Sequence, residues 1–193
     1  MHDQRRKRIG SLVLVMLCSA TAARAQTTIK VNAVPLALGM PHIGVETRLG
    51  GKLTAQLDVA ASFWQSFGGP PFEVLMVIPE IRRYFRVGMR GPYIGIHVGA
   101  AVFRLQKWNY WGTSRYQEGY TVLAGVTFGV AQRITEQWSL DWFIGGGNQQ
   151  ARYRGLDWAL GGAEYVGLNR SGEWLPYRGG VMLSYRLPRR GAN

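Results

Sequence analysis

His42 and His97 are the side chains best suited to exchanging a proton near neutral pH. An acyl hydrolase built on either would also need a nucleophile within hydrogen-bond reach of its base. Ser62, Ser66 and Ser139 are the candidates, and none has an obvious same-face spacing with His97. His97 therefore reads as an interior hydrogen-bonding group, and the chain is expected not to be an enzyme. A lipid-modifying acyl hydrolase is kept as an alternative. The single cysteine, Cys18, rules out a disulfide framework, and no Cys- or His-rich cluster suggests a metal. Glycine pairs occur without a phosphate-binding loop. No catalytic, cofactor-binding or metal site is assigned.

Charged groups recur on one face at a period of two. Lys30, Asn32, Glu46, Arg48, Gln56, Asp58, Glu80, Arg82, His97, Asp141, Arg178 and Arg186 share it. Both signs are present, and buried charge is costly unless paired. A network of Glu46, Arg48, Asp58, Glu80, Arg82, Asp141 and Arg178 is expected, with Glu46, Asp58 and Glu80 pairing to Arg48, Arg82 and Arg178 in some combination. A third cluster, Lys107, Trp108, Tyr110, Trp111, Arg115 and Tyr116, lies between Gln106 and Glu118. Aromatic and arginine residues are favoured at binding hot spots. They equally suit anchoring at lipid headgroups, the reading preferred here.

Elements of period two must position these groups. Ile43, Val45, Thr47 and Leu49 alternate with Gly44, Glu46 and Arg48, and Gly50-Gly51 marks a hairpin. Leu53 to Phe63, Ile94 to Val102, Val122 to Val130, Trp138 to Ile144 and Tyr177 to Leu187 repeat the pattern. With Ile29 to Val34 and Glu73 to Phe85, the count is eight strands. Pro79 predicts a bulge or local break in the fourth. Connections after strands two, four and six are short. Those after three, five and seven are longer, including loops at 106–118 and 149–173. This rhythm predicts an all-β, eight-stranded antiparallel up-and-down transmembrane β-barrel. At that strand number the lumen is just wide enough for side chains to fill.

Alternation alone fits a soluble barrel binding an apolar ligand equally well, with the two faces exchanged. Three features favour the membrane. Residues 1–25 have a basic head, an apolar stretch and Ala23-Arg24-Ala25 before Gln26, the pattern of a cleaved secretory signal. Leu17 before Cys18 argues against lipidation. Aromatic residues lie near strand ends, with Phe63, Trp64, Trp174 and Tyr177 expected at one rim and Tyr84, Phe85, Trp138 and Tyr185 at the other. Arg178 to Tyr185 has the polar, glycine and alternating apolar spacing of a barrel-assembly signal. The expected place is the bacterial outer membrane, with residues 26–193 as one barrel domain. Lipids and lipopolysaccharide are the expected partners, and an extracellular partner could reach the 106–118 and 149–173 loops. A monomer is expected. The net charge of +12 is scattered singly, which suits anionic lipid better than nucleic acid.

Four segments carry a family resemblance. They are Lys30-Val31-Asn32, Ile43 to Leu49, Pro79-Glu80-Ile81-Arg82-Arg83-Tyr84-Phe85 and Gly91-Pro92-Tyr93-Ile94-Gly95-Ile96-His97. In order and spacing the chain resembles the DUF3575 family of small outer-membrane barrel proteins. The resemblance implies an eight-stranded barrel. That family has no established activity, so no functional residue is carried over.

Overall fold

The computed structural model describes residues 26–66 and 68–188; the anticipated signal at 1–25 lies outside the described residues. Eight antiparallel strands follow in chain order: β1 (Thr27–Asn32), β2 (His42–Gly50), β3 (Leu53–Gln65), β4 (Pro71–Arg86), β5 (Arg90–Leu105), β6 (Arg115–Arg133), β7 (Trp138–Asp157) and β8 (Ala163–Arg186). Each pairs with its neighbour. β1 also pairs with β8, from Thr28 opposite Arg186 to Asn32 opposite Met182, so the sheet is a closed barrel. A one-and-a-half-turn helix, α1 (Ala33–Ala37), follows β1. It starts where the Asn32 side chain accepts from the Val34 amide, as an N-cap should.

The hairpins at 51–52, 87–89 and 134–137 crowd one end, with the start of β1 and the end of β8. Connections at 33–41, 66–70, 106–114 and 158–162 occupy the other, here called the outer end. Residues 149–173, expected as a loop, are mostly strand. β7 runs to Asp157 and β8 begins at Ala163, leaving 158–162 as the turn. The 106–118 loop likewise shortens, because β6 begins at Arg115. These extensions form through backbone pairing of β6, β7 and β8. Most side chains of the β8 extension are exposed, so the alternation that marks a half-buried strand is missing there. Pro79 stays in β4 and pairs with Leu57 of β3. Toward β5 the ladder breaks between Val77–Ala100 and Glu80–His97, as a residue without an amide proton requires.

The two faces differ sharply. Leu57, Val126 and Leu183 are 48 %, 41 % and 41 % exposed, and Ile43, Ile81, Ile96, Phe128 and Ile144 are also exposed. Asp58 and Arg178 are 1 % and 6 % exposed, and Lys30, Glu46, Glu80, Arg82 and Asp141 are buried with them. Across the middle of the barrel charge is inside and hydrocarbon outside, while Arg83, Arg104, Glu73 and Glu118 mark the outer face nearer its ends. Two aromatic expectations fail. Tyr84 is buried in the lumen, because it alternates with exposed Phe85. Tyr177 turns inward to His97, after a register shift where Gly145 faces Arg178 but Gly147 faces Leu175. Phe63, Trp174 and Trp138 remain exposed.

Candidate functional site

The lumen is the best-built site. Arg82 of β4 donates to Glu80 at 3.0 Å and to Asp141 of β7 at 2.9 Å. Arg178 of β8 donates to Glu80 at 2.9 Å and pairs with Asp58 of β3. Lys30 of β1 pairs with Glu46 of β2 and donates to Asp141 at 2.7 Å. Three cations thus meet four carboxylates, tying together six of the eight strands. Neutral donors complete the set. Tyr84 donates to Glu46 at 3.0 Å, Thr54 to Glu46 at 2.6 Å, Tyr93 to Asp141 at 2.8 Å and Gln56 to Asp58 at 2.8 Å. The Arg82 guanidinium lies 4.6 Å from the Tyr93 ring centre. Buried charge on this scale is tolerable only with such pairing.

Six of the seven residues expected in the network, Glu46, Asp58, Glu80, Arg82, Asp141 and Arg178, meet there. Arg48 does not. It sits at the end of β2, and its guanidinium donates to the Gly51 carbonyl of the hairpin at 3.1 Å. Lys30, Tyr84 and Tyr93 were not among the expected pairing residues. Lys30 was on the correct face, and the alternation of Tyr84 with Phe85 already required one of the two to point inward.

Small residues make room for the plug. A Cβ on Gly95 would run into the Glu80 carboxylate, and one on Gly129 into the Tyr93 ring. The geometry therefore needs glycine at both lumen positions.

His97 is hydrogen-bonded on both nitrogens, to Thr127 at 3.0 Å and to the Tyr177 hydroxyl at 2.6 Å. Ser62 donates to the Phe72 carbonyl and Ser66 to Gln106, while Ser139 pairs across the sheet with Ser184. His42 contacts Asn32 at 3.1 Å. None of these partners joins a serine to a histidine.

The aromatic and basic cluster at the outer end is dispersed. Trp111 is exposed, and the side chain of Trp108 lies outside the described residues. Tyr116 is buried, against expectation, beneath Arg104 and the edge of Trp158. Arg115 lies over the Tyr165 ring at 4.7 Å, and Lys107 over Tyr153 at 5.6 Å and 3.9 Å from Glu173. Partial burial, with a hydrogen bond to Tyr110, pushes the Tyr165 hydroxyl up to about 12. The organiser of this loop is Gln106, which had no expected role. Its buried amide donates to the Tyr110 and Thr113 carbonyls at 2.9 and 2.7 Å and accepts from Ser66 at 2.9 Å.

A family model described as a protein of unknown function (DUF3575) matches residues 11–187. No curated protein and no solved structure matches the chain.

Proposed function

The chain belongs to the DUF3575 family, and on that premise we propose that it is a small, non-porin outer-membrane β-barrel with a structural or surface-interaction role. The observation that carries the reading is the inverted polarity of the barrel wall. Each Val, Leu, Ile or Phe left in water forgoes about 1.5–3 kcal/mol of burial. A belt of them around the strands is far larger than the few hundred Å² that soluble monomers expose. In lipid the same belt is the favourable surface, and a closed sheet leaves no unpaired edge. From Leu53 to Phe63, at about 3.3 Å per residue and a tilt of about 40°, β3 climbs about 25 Å, the height of a membrane-spanning apolar band. At its upper edge, level with Phe63, Arg104 pairs with Glu73 and Glu118, each at 3.1 Å, where headgroups and water would begin. A helical crossing is not in question, since no helix among the described residues is long and apolar enough.

On this reading residues 1–25 export the chain, the plug closes the lumen to ions, and the protein is a monomer. Its outer end meets lipopolysaccharide or an extracellular partner through the 106–114 loop and the β7–β8 extension. It catalyses no reaction. The test is fractionation of the full-length protein with gel mobility before and after heating. Recovery in outer membranes with a heat-dependent shift is expected. A freely soluble product without that shift would overturn the reading.

A further inference from the structure

We propose that the outer half of the lumen is a binding site for a small amphiphile. Its ligand would have an aromatic or alkyl body about the size of a benzene ring and one hydroxyl or amide N–H. Above the charged plug the lumen changes character. Met76, Ala101, Phe103, Leu123 and Ala151 line it, while their outward neighbours Val77, Val102 and Val122 are also apolar. The two alanines leave space where larger side chains would have filled a purely structural core. A cavity of about 140 Å³ results, and an apolar cavity of about 150 Å³ is enough to bind benzene.

Its polar features specify the ligand further. Gln117 is 5 % exposed and lines the cavity, and its amide oxygen has no partner among the described residues. A buried acceptor left unsatisfied is unfavourable, and a ligand donor would relieve it. The floor is Tyr177, whose hydroxyl is already engaged by His97 at 2.6 Å. It therefore presents mainly a ring. At the mouth, Lys107 is held by Glu173 and Tyr153 and disfavours a cationic ligand. The inference rests on the cavity and not on the medium outside the barrel, so it can fail while the membrane reading stands.

The test is fluorine NMR titration of the detergent-extracted full-length protein with 4-fluorophenol, alongside fluorobenzene, which lacks the donor. Protein-free micelles set the baseline. Saturable shifts are expected for both probes. Gln117→Leu should weaken 4-fluorophenol about 3- to 10-fold and leave fluorobenzene unchanged. Ala101→Leu and Ala151→Leu, each filling the space, should abolish both. The proposal is overturned if the parent protein shows no saturable shift for 4-fluorophenol, a result independent of how any variant folds. It is equally overturned if the shift survives both alanine replacements, or if Gln117→Leu weakens the two probes alike.

Discussion

Arg178 holds Asp58 and Glu80 from the far side of the closing seam, and Arg82 shares Glu80 with it. Because four carboxylates face three cations, the two kinds of partner are not equivalent. Removing Arg178 strands Asp58 and part of Glu80, whereas neutralising Glu80 still leaves Arg82 on Asp141 and Arg178 on Asp58. Arg178→Met should cost about 3–5 kcal/mol, the penalty of a broken buried pair. Glu80→Gln should cost about 1–3 kcal/mol, closer to a lost hydrogen bond. Urea unfolding of the refolded barrel, followed by gel mobility, gives both values, and the reverse order would refute this arrangement of charges. Gly95→Ala tests the space beside them. Its methyl group must displace the Glu80 carboxylate, so a loss of about 1–3 kcal/mol is expected in the same assay.

Gln106 and the β7–β8 extension set the behaviour of the outer end. The Gln106 amide gathers the carbonyls of Tyr110 and Thr113, and its side-chain hydrogen bonds among the described residues go to Ser66, Tyr110, Thr113 and Arg115, outside the plug. Gln106→Ala should therefore expose 107–114 to limited proteolysis while leaving heat-dependent mobility as in the parent; loss of that mobility would show that the loop is part of the barrel's stability. The extension is a hairpin whose turn is tied by Asp157, which accepts from Ser114 at 2.6 Å and from the Ala159 amide at 3.0 Å. Closure uses only Met182 to Arg186 of β8. Replacing residues 155–166 by a short turn should preserve the barrel, as read by its mobility shift on heating.

The whole molecule is a cylinder with a closed interior and an apolar wall. Its lumen is crossed by Lys30, Arg82, Arg178 and their carboxylates, with Tyr84, Tyr93, Phe143 and Met182 packed among them. Reconstitution into planar bilayers should give no stepped conductance, and porin-like steps would disprove the plug. The apolar wall makes a second demand. Trp142, half-exposed on β7 between lumen-facing Asp141 and Phe143, should be quenched by brominated lipid chains, and Trp142→Phe should remove that component of the fluorescence.

Strand number, the tight hairpins and the membership of the two faces were legible in the sequence, because side chains of a strand alternate with a period of two wherever its faces meet different media. Six of the seven plug residues followed from the same alternation. Which face turns inward did not follow from alternation, since a pattern and its inversion read identically and either can close β1 onto β8. The direction in which the sheet curls decides it, burying Lys30, Asp58 and Arg178 and exposing Leu57 and Leu183. The β7–β8 extension was illegible for the opposite reason: with most of its β8 side chains exposed, only backbone pairing records it. Arg48 was lost to the plug because alternation gives a face and not a height, and height along the barrel is a property of strand tilt and register that emerges only in three dimensions. The pairing of Tyr177 with His97 likewise depends on a shift of one residue between β7 and β8, which no local pattern announces.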